Sequence, residues 1–201
     1  MLSGKETIVA CSSPPGRGAV SIIRLSGDKA VSIVKKITNN RPKKKISIIK
    51  FPLDVGLNEK CVLTIFKAPN SYTGEDVVEI STHGNPYIVE RVIEKCLDSG
   101  AKIAKPGEFT LRAYLNNKLS LDQSEAVIEV INANSKASLI AAQNSLDGGL
   151  KEKISGVQEK LRETRILVET LIDFVDEDAN VYIEDVKSKI EDFKRFFRSF
   201  N

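Results

Sequence analysis

The hydrophobic pattern of this chain of 201 residues changes once, close to residue 118, and that change most constrains its fold. Before it, short β-branched runs alternate with turn residues, which is typical of strands mixed with helices. After it, apolar residues recur every three or four positions, which is typical of amphipathic helices. We therefore predict an α+β protein in which a mixed-sheet domain, residues 1–117, precedes an all-α segment, residues 118–201.

The charge distribution follows a similar division. Residues 1–120 contain 19 Lys and Arg against 11 Asp and Glu, whereas residues 121–201 contain 11 and 16. The overall net charge of +3 therefore averages a basic half and an acidic half. Such an asymmetry supports a chain of two units.

Composition argues against several classes of protein. No apolar run approaches the roughly 20 residues of a membrane-spanning helix, and the N-terminus lacks the apolar core of a signal peptide. The three cysteines show no CxxC spacing and the chain has one histidine, which argues against a zinc site. We predict a soluble cytoplasmic protein with reduced thiols and no membrane contact.

Local patterns in the first domain predict six strands and two helices. The strands are expected at about 7–10, 18–25, 46–51, 61–67, 77–82 and 101–104. One helix is expected at 28–37, and a second opens at Asn85-Pro86 and closes at Gly100. Cys96 falls on the apolar face of the second helix, so we expect it in the core.

The second half is predicted to be helical throughout. Ser120 and Gln123 form a capping box, which predicts that a helix starts there. The apolar stripe of the following segment crosses Gly148-Gly149, which predicts one long helix with a weak point, and the pattern resumes from Ile183 to Phe200. These stripes need covering by a dimer partner or by further sequence, so we expect the chain to be a fragment.

Two charged residues fall on strand faces where apolar residues are expected. Alternation places Arg24 on the face of Val20 and Ile22, and Glu79 on the face of Val77 and Ser81. A buried charge is costly unless it is paired or meets a ligand. Three interpretations of Arg24 and Glu79 follow: they pair with each other, they lie at strand ends in water, or they hold a polar ligand between the strands.

Other segments allow two interpretations each. The loop Ser12–Gly18 brings backbone amides to a ligand or is a plain turn, and neither GxxxxGK[ST] nor GxGxxG occurs in the chain. His83 is a general base or a turn residue. The basic run Lys35–Lys50 contacts RNA phosphates or is a solvated loop. The acidic residues of 173–178 are a metal cluster or a solvated turn.

Several short segments occur in a characteristic order along the chain. They are Pro14-Pro15-Gly16-Arg17-Gly18, Ile23-Arg24-Leu25-Ser26-Gly27, Ser71-Tyr72-Thr73-Gly74-Glu75-Asp76, His83-Gly84-Asn85-Pro86, Lys105-Pro106-Gly107-Glu108-Phe109-Thr110, Arg112-Ala113-Tyr114-Leu115-Asn116, Gln123-Ser124-Glu125-Ala126-Val127 and Ile172-Asp173-Phe174-Val175-Asp176-Glu177. In this order they resemble the family of tRNA modification GTPases called MnmE or TrmE.

The resemblance implies a first domain similar to the folate-binding domain of aminomethyltransferases, which binds 5-formyltetrahydrofolate and forms a homodimer. It implies a helical domain into which the family inserts a potassium-dependent GTPase domain that binds GTP and magnesium. With a flavin-dependent partner, MnmG (GidA), the family modifies carbon 5 of the wobble uridine of tRNA, and the folate is the expected one-carbon donor.

Position by position, the resemblance places the folate contacts of the family on Arg24, Glu79 and Lys118. It assigns no metal ligand and no catalytic residue, because Cys11, Cys61 and Cys96 do not match the C-terminal cysteine motif of the family. The sequence ends before the family's P-loop, so we expect that this chain alone does not hydrolyse GTP.

Two alternative functions remain open at this point. One is a stand-alone folate-dependent one-carbon transferase of the aminomethyltransferase type. The other is an RNA-binding or dimerisation module that uses the basic run 35–50.

Overall fold

The computed structural model describes residues 6–39, 45–173 and 179–198. The chain divides into two compact units, residues 1–124 and 125–201. The first contains a six-stranded sheet with helices, and the second is helical. The predicted α+β class is confirmed.

The described residues of the first unit contain every strand and helix that the sequence predicts for it, and one helix more. The elements are β1 (Ile8–Cys11), β2 (Gly18–Ser26), α1 (Ala30–Thr38), β3 (Ile46–Asp54), β4 (Leu57–Phe66), β5 (Val77–Gly84), α2 (Pro86–Asp98), β6 (Lys102–Ile103) and α3 (Glu108–Leu115). The additional helix, α3, was not predicted because its eight residues follow Pro106-Gly107 and carry little apolar periodicity.

The sheet has the order β3-β4-β5-β2-β1-β6, with antiparallel neighbours except for the parallel pair β1 and β6. Helices α1 and α2 bury one face of it in a core that includes Ile23, Leu25 and Ile80. Cys96 is fully buried in this core, as predicted. Because side chains alternate along a strand, Arg24 lies on the opposite face of the sheet.

Burial also decides the chemistry of two thiols. Loss of hydration raises the pKa of Cys96 to about 12. It raises the pKa of Cys61 to about 12 as well, with a further contribution from the negative charge of Glu59. Both cysteines are therefore neutral, unreactive core residues near neutral pH.

The second unit begins within α4. Its helices are α4 (Leu121–Asn132), α5 (Lys136–Leu146), α6 (Gly149–Asp173) and α7 (Ala179–Arg198). The predicted helix start is confirmed, because the N–H of Ser120 donates to Oε1 of Gln123 over 2.9 Å, directly before α4.

The prediction of one helix across Gly148-Gly149 is wrong. Helix α5 ends at Leu146, and Gly148 adopts a φ of +88°, in the left-handed region that side chains disfavour. The N–H of Gly148 donates to the carbonyl of Ser145 over 3.0 Å. Gly148 therefore ends the helix, as glycine commonly does at a C-terminus, although the apolar spacing continues through it.

Helices α6 and α7 pack as an antiparallel pair. Lys189 Nζ lies 3.0 Å from Glu163 Oε2, and the Phe196 ring approaches Gly156 so closely that a Cβ there would lie 3.1 Å from Cζ. Large apolar side chains of this pair remain exposed, including Leu161 and Phe197. This exposure matches the expectation that the stripes need further covering.

Two expectations from composition concern absences. Within 6–39, 45–173 and 179–198, no helix combines the length and the apolarity needed to cross a membrane. The described residues also contain no cluster of three His, Cys, Asp or Glu side chains suited to a metal ion. The acidic candidates at 174–178 lie outside the described residues, as do positions 40–44 of the basic run.

Candidate ligand-binding site

Arg24 and Glu79 form an ion pair across two neighbouring strands. They lie directly opposite each other in the antiparallel register of β2 and β5. Arg24 Nε donates to Glu79 Oε1 over 2.9 Å, and Nη2 lies 2.7 Å from the same oxygen. The side chains are 24% and 22% exposed, so the pair is accessible from solvent on the face that α1 and α2 leave free. Pairing, one of the three interpretations from sequence, is therefore observed.

Two aromatic rings flank the Arg24 guanidinium. Its Cζ lies 5.3 Å from the ring centroid of Tyr72 and 5.6 Å from that of Phe109. Tyr72 belongs to the loop between β4 and β5, whereas Phe109 belongs to α3. The Tyr72 hydroxyl lies 2.9 Å from Thr110 Oγ1, which joins the loop to the helix. These distances are those of cation–π contacts.

A buried arginine, Arg112, joins the same loop to the same helix. Arg112 is 8% exposed, and its Nη1 lies 3.0 Å from Glu75 Oε2 while its Nη2 lies 2.9 Å from Glu108 Oε1. Nη1 also donates to the backbone carbonyl of Glu6. Burial alone would raise the pKa of Glu108, but the N–H of Lys105 and the Arg112 charge lower it below its ordinary value. The carboxylate is therefore held in its charged form.

Further hydrogen bonds hold the backbone of the loop in place. Thr73 is fully buried, and its hydroxyl lies 2.7 Å from Ser26 Oγ on β2. The Asn116 side chain donates to the Thr73 carbonyl over 2.7 Å. At the end of the loop, burial opposes ionisation of Asp76, but its ion pair with Lys67 and a backbone N–H lower its pKa overall. These contacts therefore hold the backbone of the loop that carries Tyr72.

Lys118, the third residue of the expected site, lies beside this loop. Gly74 has a φ of +77° and so close a neighbour that a Cβ there would lie 3.2 Å from Lys118 Cγ. The backbone N–H of Lys118 donates to the carbonyl of Ala113 over 2.8 Å, and the residue is exposed. Lys118 therefore lies against the loop that carries Tyr72.

Sequence reasoning missed three residues of this region. Tyr72, Phe109 and Arg112 all lie within the segments that carry the family resemblance, but no role was assigned to them. The four-residue spacing of Glu108 and Arg112 signals a helical ion pair and could have indicated α3. No local pattern signals that Tyr72 and Phe109 meet.

The other candidates lie elsewhere in the first unit. His83, near the end of β5, has its Nδ1 2.7 Å from Glu59 Oε1, and its backbone N–H donates to the same oxygen. Its side chain is 73% exposed. The contact links the end of β5 to β4, the strand that carries Glu59. The 12–18 loop and α2 line a cavity of about 510 Å³ that includes Cys11, on the helix-covered side of the sheet.

Comparison with known proteins covers nearly the whole chain. Residues 7–118 match the family model described as GTP-binding protein TrmE N-terminus, and residues 121–200 match the model described as MnmE helical domain. Over 184 residues the chain is 44% identical to the tRNA modification GTPase MnmE of Francisella philomiragia and 46% identical to that of Francisella tularensis subsp. holarctica.

Each of these alignments covers 91% of this chain but 41% of the relative, so the chain spans about two fifths of the length of the curated relatives it matches. The first family model matches more than half of the chain by itself, and the two models follow one another in the order of the two structural units. The chain therefore belongs to the MnmE (TrmE) family, of which it carries the N-terminal and helical-domain sequences.

Proposed function

We propose that residues 1–117 form a domain that binds a reduced folate, 5-formyltetrahydrofolate, with Arg24, Glu79 and Lys118 as its contacts. The observation that carries this proposal is the solvent-accessible Arg24–Glu79 pair beside two aromatic rings. An ion pair that served only stability would gain little at a partly exposed position. A ligand site, in contrast, needs its charges accessible.

The chemistry of these side chains fits a folate. A pterin edge presents an N–H and an amino group that one carboxylate accepts together, which suits Glu79. The glutamate tail and the formyl oxygen are acceptors, which suits the cationic Arg24 and Lys118. When bound, the folate would supply a one-carbon unit. The part of this chain is to hold and orient the cofactor.

The wider activity proposed for the intact protein follows from the family. The relatives are named as tRNA modification GTPases. We propose that the protein acts on the wobble uridine of tRNA in the cytoplasm, as a homodimer joined through residues 1–117 and with the flavin-dependent partner MnmG. Residues 118–201 would form part of the helical domain, and GTP, potassium and magnesium would be used by a GTPase domain whose P-loop motif this sequence does not contain.

Isothermal titration calorimetry with 5-formyltetrahydrofolate tests the folate proposal. We expect the wild-type chain to bind, and Glu79→Gln to bind at least about tenfold more weakly, because the amide places an NH₂ donor where the carboxylate has its second acceptor oxygen. Glu90→Gln is the matched control, since Glu90 is an exposed glutamate on α2, which covers the other face of the sheet.

Two results would refute the folate proposal. One is the absence of binding to the wild-type chain at millimolar folate. The other is equal affinity of wild type, Glu79→Gln and Glu90→Gln, which would place any binding elsewhere.

A further inference from the structure

The Arg24 guanidinium occupies surroundings that also suit a flat heterocycle. It is planar, it contacts Tyr72 and Phe109, and both of its bonds to Glu79 end on Oε1. Among the described residues, Glu79 Oε2 has no hydrogen-bond donor. The carboxylate is therefore only partly satisfied by Arg24 and can accept a further donor.

The loop and the helix that carry the two rings are joined to each other by contacts that do not involve Arg24. Tyr72 is joined to α3 through Thr110, and the buried Arg112 bridges Glu75 of the loop to Glu108 of the helix. Arg24, in contrast, is held by a single carboxylate oxygen and by ring faces, at 24% exposure. Of the groups at this site, the guanidinium is the one that can leave without breaking a buried network.

A pterin edge and a guanidinium make the same demands on their surroundings. In both, one carbon carries neighbouring N–H donors in a plane, which a carboxylate accepts, and both are flat groups that pack against aromatic faces. A ring whose two donors are accepted by both oxygens of Glu79, and which packs on the same aromatic faces, therefore needs the place of the Arg24 guanidinium.

We propose that Tyr72 and Phe109 are ring-binding residues, and that the ligand ring displaces the Arg24 guanidinium from Glu79 when it binds. The freed guanidinium then pairs with the anionic tail of the ligand. This inference rests on the proposed folate function and adds to it the two aromatic contacts and an exchange at Glu79. It makes Arg24 a competitor of the ring and a partner of the tail.

A comparison of two ligands tests the exchange, because the two roles of Arg24 have opposite signs. Calorimetry is performed on the full chain with 5-formyltetrahydrofolate and with 6-hydroxymethylpterin, which has the ring but no anionic tail. Arg24→Met should bind the pterin about threefold or more tightly than wild type does, because the competitor is gone. It should bind the folate about tenfold more weakly, because the tail loses a charge-assisted partner.

A second pair of variants tests the aromatic contacts. Phe109→Leu should weaken both ligands about tenfold, as expected for loss of stacking on a flat ring. It should also reduce the change in pterin absorbance that accompanies stacking in the wild-type complex. Tyr114→Leu, an exposed tyrosine on the same helix, is the control and should change neither readout. If Phe109→Leu does not fold, Tyr72→Leu is the variant to test, because Tyr72 is 37% exposed.

The outcomes separate this inference from the function on which it rests. If Arg24→Met weakens both ligands, or shows no measurable affinity for the pterin, the exchange is wrong. If Phe109→Leu and Tyr72→Leu bind the folate like wild type, with the same absorbance change, the aromatic contacts are wrong while folate binding stands. If the wild-type chain binds neither ligand, the folate function itself fails.

Discussion

Arg24 and Arg112 are both paired with glutamate in the first unit, yet their surroundings differ in almost every respect. The Arg112 side chain is 10% exposed and contacts two carboxylates and a backbone carbonyl. Arg24 is 24% exposed, contacts one carboxylate oxygen and otherwise faces aromatic rings. One guanidinium therefore has three acceptor groups and the other has one.

We interpret this difference as one between a structural ion pair and the ion pair of the proposed ligand site. A buried arginine with several acceptors connects segments that the chain order keeps apart, here the loop at Glu75 and helix α3. A partly exposed arginine contributes little to stability, since water screens its charge. Its solvent access leaves it available for contact with another molecule.

The largest expected effect on the free energy of unfolding comes from replacing Arg112, the buried arginine. Arg112→Met should lower the free energy of unfolding by about 3 kcal/mol or more, because it leaves Glu75 and Glu108 with carboxylates removed from water and without their cation. Urea unfolding followed by circular dichroism measures it. Arg112→Lys, which retains the charge but not the planar fork, should lose less. Equal stability of Arg112→Met and wild type would contradict the structural role.

At the partly exposed pair, Arg24→Met should change the free energy of unfolding by about 1 kcal/mol or less, because water replaces Arg24 as the partner of Glu79. The same urea experiment measures this effect, and folate calorimetry on the same sample should show the larger change described above. A loss of stability as large as that of Arg112→Met would remove the distinction between the two arginines.

Low pH should weaken the contribution of Glu108, a partner of Arg112, to the free energy of unfolding. Its pKa in the folded protein lies below the ordinary value of 4.5, so its contribution to stability is present above that value and is lost as the pH falls through the folded pKa. The stability difference between wild type and Glu108→Gln should therefore shrink as the pH falls from 6 to about 3. Thermal unfolding across this range measures it, and a difference that is independent of pH would contradict the assignment.

The smallest expected effect on stability is that of Lys118→Ala. Lys118 is exposed, so the free energy of unfolding should change by no more than about 0.5 kcal/mol. Folate affinity should fall about three- to tenfold, and this loss should diminish at high salt because solvent-exposed charges are screened. Lys95→Ala on α2 is the control. Unchanged affinity in Lys118→Ala at low salt would remove Lys118 from the site.

Much of the first unit follows from local pattern. The alternation of apolar residues predicted β2 and β5 and placed Arg24 and Glu79 on strand faces, because a strand sends successive side chains to opposite sides. The apolar spacing around Gly148 led to the wrong prediction of one continuous helix, because an apolar period can continue through a residue whose backbone ends the helix. Helix α3 was missed because its eight residues are too few to show a clear apolar period.

By itself, then, the sequence determined the change of period near residue 118, the α+β class and the faces on which two unexpected charges lie. Only the tertiary structure decided that Tyr72 and Phe109, distant along the chain, lie beside Arg24. It also decided that Arg112, rather than Arg24, is the buried arginine. The physical reason is that periodicity reports which face of an element a residue occupies. Which groups share that space depends on contacts between elements, and these form only when the chain has packed.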